Sequence, residues 1–164
     1  MKKLRYFLIL LILILLEVSF GSWRKFLFAF PDLMLSAVIM YGFIFIFRKG
    51  WLILLALASG ILKEAVLAGT GGARIILYLL SGLFASYIAK KISVEHIAVR
   101  IFIVGLIVLA NEIILYLINY FFKGNQAGFF YFARVSLLTA VYSAFSLFLI
   151  EKLNKYLIKD IDAR

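Results

Sequence analysis

Long apolar runs, separated by short charged or glycine-containing breaks, divide the chain into six segments. Such runs, with basic residues collected in the breaks, are typical of helices that cross a membrane. We therefore predict an all-α membrane protein, folded as a single six-helix transmembrane bundle with its N- and C-termini in the cytoplasm. The predicted spans are residues 5–22, 31–47, 51–68, 74–89, 98–122 and 133–151.

The uncharged part of each segment is short. Most of these runs contain about ten to sixteen residues, fewer than the roughly twenty that span the hydrocarbon layer. A segment becomes long enough only if its flanking charges reach the interface or its internal charges face protein. This shortfall predicts a packed bundle rather than a set of independent anchors.

The first segment has two interpretations. Its basic head, its apolar run and the small residues Ser19 and Gly21 are compatible with a cleaved signal peptide. Glu17 and the apolar segments that follow favour a retained first helix.

Local signals set several boundaries. Pro31 is predicted at the first position of the second helix, where its missing N–H costs nothing, with Asp32 beside the positive helix end. Gly69, Gly71 and Gly72 are expected to end the third segment in a tight turn. A loop is predicted over residues 123–132, and the tail 151–164 resembles a short surface helix because it alternates charged and apolar residues.

Composition supports the membrane assignment. Hydrophobic residues make up 66% of the 164 positions, more than a water-soluble domain of this size could bury. The formal charge of +10 does not indicate nucleic-acid binding, because the basic residues lie between apolar segments rather than on one face. With the N-terminus inside, twelve of the 18 basic residues are cytoplasmic, five are outside and Lys63 lies within the membrane, which supports cytoplasmic termini.

A set of charged residues lies within the apolar segments or at their outer ends. Helical rise places the acids at positions 17, 64 and 112 about 16–20 Å from the cytoplasmic helix ends, in the outer half of the membrane. A charge at that depth is normally turned inward and paired. The set forms a candidate intramembrane polar cluster and consists of Glu17, Asp32, Lys63, Glu64, Arg74, Glu112 and Arg134.

Two readings of this polar cluster stay open. Lys63 and Glu64 are about 100° apart on their helix, so each should pair with another helix, and Arg74 or Arg134 are the nearest basic candidates. The pairs could serve only to hold the bundle in register. They could instead form a polar pocket that opens to the outside and takes a small solute or a partner segment.

Small residues recur every fourth position on two segments. Close helix packing in lipid depends on such residues, so each series is predicted to face another helix. The candidate packing stripes are Ser81, Ala85 and Ala89 on the fourth segment, and Ser136, Ala140 and Ala144 on the sixth.

Signs of catalytic chemistry are weak. His96 is the single histidine and lies in a predicted cytoplasmic loop, which argues against a histidine-based metal site or triad. The glycines at 69, 71 and 72 lack the preceding strand and the Lys-Ser/Thr pair of a phosphate loop. The chain has no Cys and therefore no disulfide framework or thiolate. We predict no catalytic, cofactor-binding or metal-binding residues.

The stretch from Pro31 to Gly82 resembles MreD, the multispanning rod shape-determining protein family of bacteria. The matching features are a Pro-Asp-Leu that opens the second span, a basic-Gly turn before the third span, a Gly followed four residues later by an acid, and a Gly-aromatic-Gly series. They fall on Pro31, Asp32 and Leu33; on Lys49 and Gly50; on Gly60 and Glu64; and on Gly72, Tyr78 and Gly82. Glu64 stands where an Asp is usual, and Lys63 stands where an apolar residue is usual.

The resemblance implies a non-enzymatic membrane scaffold subunit of the bacterial cell-elongation (rod) complex, located in the cytoplasmic membrane. Such a protein would associate with an MreC-like protein, and through it with MreB and with RodA and its transpeptidase partner in peptidoglycan synthesis. MreD is also similar in fold to the substrate-binding subunits of energy-coupling-factor vitamin transporters. A subunit of that kind, with an outer polar pocket, is the alternative expectation, and a membrane enzyme is a third without an identified site.

Overall fold

The computed structural model of the protein describes residues 2–19, 29, 31–45, 49–67, 72–92, 96–123 and 128–159. Within these ranges the chain forms helices and short connections, and it contains no strand. The prediction of an all-α fold with six helices is confirmed. The helices are α1 Lys2–Ser19, α2 Leu33–Ile44, α3 Lys49–Leu67, α4 Ala73–Lys91, α5 Ile97–Lys123 and α6 Phe129–Lys159.

Three of these helices are long and apolar enough to cross a membrane by themselves. They cover Ala73–Lys91, Ile97–Phe122 and Phe129–Lys152 in α4, α5 and α6. The apolar parts of α1 and α2, Leu8–Ser19 and Leu33–Ile44, are shorter. The protein is therefore a helical membrane protein, while six crossings and cytoplasmic termini stay predictions.

Helix α2 is the centre of the bundle. It contacts each of the other five helices, and every residue from Leu33 to Phe43 is buried. Its sequence is apolar on all sides, which is the pattern of a helix enclosed by others. The longer α5 and α6 instead leave large side chains exposed along one side, such as Phe102 and Phe145. The short helix is thus shielded by protein, and the long helices carry the lipid-facing surface.

Two glycines allow the backbones of neighbouring helices to touch. A Cβ built on Gly42 of α2 would lie 2.7 Å from the carbonyl oxygen of Gly82 and 2.8 Å from the Cβ of Ala85. A Cβ on Gly60 of α3 would lie 2.7 Å from the Cα of Ile75. Close contacts through small residues are the main source of helix association where no water drives burial. These glycines therefore fix α4 against both α2 and α3.

Some predicted boundaries are wrong. Pro31 precedes the second helix instead of occupying its first position, because Asp32 is the N-cap and its carboxylate accepts the Leu35 N–H at 3.0 Å. Helix α6 begins at Phe129, inside the predicted loop 123–132. It continues to Lys159, and the described part of the tail extends this helix, because no Gly or Pro interrupts the sequence there. Several predicted features lie outside the described residues: the span ends at residues 22, 47 and 68, the glycines at 69 and 71, and residues 160–164.

Candidate functional site

Lys63 is the centre of a buried charge cluster. It lies on α3 and is 4% exposed. Its amine donates a hydrogen bond to the carboxylate of Glu17 on α1, and it lies 3.3 Å from Asp32 Oδ1 at the start of α2. Both acids are 8% exposed. Lys63 therefore pairs with groups from two other segments, and all three charges are enclosed by the bundle.

Asp32 connects more elements than any other residue described in this cluster. Its carboxylate oxygens both lie 2.7 Å from the Tyr78 hydroxyl of α4, and Oδ1 also accepts the Leu35 N–H of α2. Its own backbone N–H donates to Ser143 Oγ of α6 at 2.7 Å. With the ion pair to Lys63, this one residue joins α2, α3, α4 and α6.

The electrostatics of the cluster follow from its composition. Two carboxylates share one ammonium, which leaves a formal excess of negative charge if all three groups are ionised. The Tyr78 hydroxyl and the positive end of α2 both stabilise the Asp32 carboxylate. Buried charges are tolerated only with such partners, and removing one partner leaves the other uncompensated. The cluster is built to hold helices together.

Two serines attach α6 to the start of α2. Ser36 Oγ donates to the Asp32 carbonyl at 2.8 Å and lies 3.1 Å from the carbonyl of Ser143. Ser143 in turn accepts the Asp32 N–H. Ser36 and Ser143 are both fully buried. In hydrocarbon these hydroxyl contacts take the place of water, so they fix the position of α6 along α2.

The remaining predicted charges do not take part in the ion pairs described for Lys63. Arg74 and Glu112 line a cavity of about 210 Å³ between α4, α5 and α6. Tyr116, Asn119 and Tyr131 also line this cavity. Glu64 is half-buried and Arg134 is exposed. Glu64, Glu112 and Arg134 each interact with other groups of the chain.

The seven predicted charges therefore do not form one cluster. Glu17, Asp32 and Lys63 meet, whereas Arg74 and Glu112 lie together at a different place. Lys63 pairs with acids of other segments, as expected, while a pairing of Glu64 with Arg74 or Arg134 stays a prediction. Helical rise gives the depth of a residue but not its direction around the bundle, and so the sequence alone could not separate the two groups.

The small-residue stripes lie at helix contacts. On α4, Ser81 and Ala85 are buried and Ala89 is half-buried, with Ala85 against Gly42 of α2. On α6, Ser136, Ala140 and Ala144 are buried. A Cβ on Gly105 of α5 would lie 3.6 Å from the Cβ of Ala144. In the first stripe Ala85 thus faces α2, whereas Ser81 contacts Asn111 of α5; in the second stripe Ala144 faces α5.

Sequence reasoning did not select Tyr78, Ser143 or Asn111 as site residues. Tyr78 entered only through the family resemblance, and in an apolar helix an aromatic residue usually indicates packing. Asn111 is 5% exposed and lies on α5. Its amide nitrogen donates to Ser81 Oγ of α4 at 2.7 Å. The sequence signal that could have identified Asn111 was a polar amide in the middle of an apolar helix.

Asn111 is also part of a long apolar groove between α4 and α5, which has a volume of about 590 Å³. We call this the α4–α5 groove. Half-exposed apolar side chains, among them Leu80, Phe84 and Leu106, form its rim. Its residues are Leu77, Leu80, Ser81, Phe84, Ile88, Ile103, Leu106, Ile107, Ala110, Asn111 and Ile114.

Among the described residues, no group of three or more His, Cys, Asp or Glu side chains is arranged to hold a metal ion. Comparisons with protein-family models, curated proteins and solved structures found no match to this chain. The class of the protein therefore rests on its own coordinates. It is a helical membrane protein whose short central helix is held by a buried Lys–Glu–Asp–Tyr network.

Proposed function

We propose that the chain is a non-enzymatic scaffold subunit of the bacterial cell-elongation complex in the cytoplasmic membrane, as its resemblance to MreD implies. In this role it links an MreC-like protein and MreB to RodA and its transpeptidase partner, and it supports peptidoglycan synthesis and cell shape. The observation that carries the proposal is the contact between Asp32 and Tyr78. These residues belong to the two ends of the stretch on which the resemblance depends.

Other residues of the resemblance lie around the same interior. Gly60 provides the α3–α4 contact, and Gly82 lies where α4 meets α2. Gly72 has φ of +82° at the start of α4, a conformation that favours glycine. Gly60, Gly72 and Gly82 thus have structural reasons for their residue type, which supports treating the matched positions as one pattern rather than a chance match.

The chemistry of the cluster also favours a scaffold. The Lys63 amine and the Asp32 carboxylate are buried and bonded to groups of the chain itself. A rigid interior of this kind leaves partner binding to the outer surfaces of the helices. We therefore place the partner contacts on the exposed faces of α4, α5 and α6.

Affinity purification from the membranes of the bacterium that encodes the chain tests this function. The chain carries a cytoplasmic tag, the membranes are solubilised mildly, and the recovered proteins are quantified by mass spectrometry. The scaffold role predicts enrichment of an MreC-like protein together with RodA-type wall-synthesis proteins, and rounded cells after depletion of the chain. Recovery of none of these proteins, with normal cell shape after depletion, would contradict it.

The cavity that contains Arg74 and Glu112 favours a second candidate, the substrate-binding subunit of a vitamin transporter. Its lining combines charged and aromatic side chains, as in sites that bind small polar solutes. Native mass spectrometry of the purified chain tests this candidate. A bound vitamin that is lost in Arg74→Ala would support it over the scaffold role, and a ligand-free mass would argue against it.

A further inference from the structure

The hydrogen bonds of Asn111 leave one strong acceptor unused. Its amide nitrogen donates both hydrogens inside the chain, one to Ser81 Oγ at 2.7 Å and one to the Ile107 carbonyl at 2.8 Å. Because a carbonyl only accepts, the contact with Ile107 fixes which amide atom is the nitrogen. The remaining atom, Asn111 Oδ1, is buried and has no hydrogen-bond partner among the residues that the structure describes.

An unpaired acceptor at this place is costly. The surrounding groove is formed by apolar side chains of two helices that are each long enough to cross the membrane. Inside the hydrocarbon layer no water is present to satisfy the oxygen, and acyl chains carry no donor. Filling the groove with lipid would therefore leave the acceptor unpaired, whereas an occupant with a donor would satisfy it.

We propose that the α4–α5 groove receives a transmembrane helix of a partner polypeptide, and that a Ser, Thr, Asn or Gln of this helix donates a hydrogen bond to Asn111 Oδ1. The inference rests on the proposed function, since it assigns the place where this scaffold holds a membrane partner. Along α4 the groove runs from Leu77 to Ile88, about 16 Å or three helical turns. Ser81 and Ala110 are small, so a helix could approach closely there.

A symmetric pair of copies that meet groove to groove does not satisfy this site. In such a pair, each Asn111 would offer its oxygen to an amide whose two hydrogens are already used. We therefore assign the site to a different polypeptide that brings its own donor. Because Oδ1 is covered by atoms of the chain, a partner helix has to displace side chains at the rim of the groove to reach it. Leu80 and Leu106 on this rim are 55% and 51% exposed, so they have room to move.

Quantitative purification of variants tests the groove. Ala110→Trp fills it with apolar volume at an exposed position, and Val141→Trp makes a comparable change at an exposed position on α6 outside the groove. We expect Ala110→Trp to lower the amount of MreC-like or wall-synthesis partner per bait by about tenfold or more, a loss equal to one strong contact. Val141→Trp should retain the wild-type amount.

A second pair of variants tests the hydrogen bond. Asn111→Leu removes the acceptor, whereas Ser59→Ala removes a buried hydroxyl and its hydrogen bond to the Leu55 carbonyl on α3, outside the groove. We expect Asn111→Leu to weaken partner recovery by about threefold to tenfold, the range of interhelical hydrogen bonds in membranes, and Ser59→Ala to change it little. Monodisperse elution of each variant in detergent shows that the bundle is folded.

A photo-crosslinking residue at position 106 identifies the occupant, with position 145 of α6 as the control outside the groove. The expected product joins position 106 to a transmembrane peptide of the recovered partner that contains a Ser, Thr, Asn or Gln. Crosslinks to phospholipid alone or to a second copy would overturn the inference. Normal partner recovery with Ala110→Trp would overturn the assignment of the partner to the groove but leave the proposed function intact. A wild-type sample that recovers no elongation protein would contradict both.

Discussion

Replacing Lys63 by Met tests the buried charge cluster most sharply. Met keeps much of the length and apolar volume of Lys but removes the ammonium that serves Glu17 and Asp32. Asp32 keeps the Leu35 N–H and the Tyr78 hydroxyl as donors, whereas Glu17 loses the ammonium to which it is bonded. Removing one partner of a buried ion pair costs about 3–5 kcal/mol. We expect Lys63→Met to destabilise the bundle by that amount.

The assay is the fraction of chain that stays monodisperse in detergent after heating. Lys152→Met is the matched control, because Lys152 is exposed on α6 and carries the same change of side chain. The control should unfold at the same temperature as the wild type, while Lys63→Met should lose its folded fraction at a clearly lower temperature. Equal thermal profiles for the two variants would show that the ion pairs do not stabilise the fold.

A compensating variant separates the loss of the charge pair from a loss of packing. If uncompensated charge is the cause, Glu17→Gln combined with Lys63→Met should be more stable than Lys63→Met alone, because the buried carboxylate is neutralised. If the lost packing of Lys63 were the cause, the second substitution would give no recovery. The sign of the coupling between the two sites therefore decides between the explanations.

Two further predictions concern single contacts. Tyr78→Phe should destabilise the bundle by about 1.5–3 kcal/mol, the value of a hydrogen bond to a charged group, because the Asp32 carboxylate loses the hydroxyl. The control Tyr87→Phe changes an exposed tyrosine and should unfold at the same temperature as the wild type. Equal unfolding profiles for the two variants would refute the role of the Tyr78 hydroxyl. Gly42→Ala should cost about 1–3 kcal/mol by overpacking, because its Cβ would meet the backbone of α4 at 2.7 Å. Gly50→Ala has open space around its Cβ and should be neutral or slightly stabilising in the same heating assay.

The sequence was a good guide to the helices for a simple physical reason. The apolar runs and the basic residues between them are required by the membrane environment, so they predicted six helices without knowledge of how the helices pack. The errors occurred where the signal was local. The pattern of residues 151–159 could not show that the helix from Phe129 continues through the end of the predicted span. Pro31 and Asp32 were assigned two positions too far into α2, because Asp32 caps the helix with its own side chain and Leu33 is the first helical residue.

The sequence was a weaker guide to the site. It selected Glu17, Asp32 and Lys63 because charge at membrane depth is expensive, and these three residues do meet. It could not exclude Arg74 and Glu112 from the same cluster, since the order of helices around α2 is set by contacts far apart in the chain. The Gly42 contact with α4 is one such constraint, and it becomes visible only in three dimensions.

The most direct test of the account is the distance between the Lys63 amine and its carboxylates in a lipid bilayer. Solid-state NMR measures it in a sample with ¹⁵N at the Lys side-chain nitrogens and ¹³C at the Asp and Glu carboxyl carbons, with the Lys63 signal assigned by its loss in Lys63→Met. We predict strong dephasing of the Lys63 nitrogen by carboxyl carbon, at a separation of about 4 Å or less, as in an ion pair. A Lys63 nitrogen without any carboxyl carbon nearby, in contact with acyl chains instead, would contradict the account.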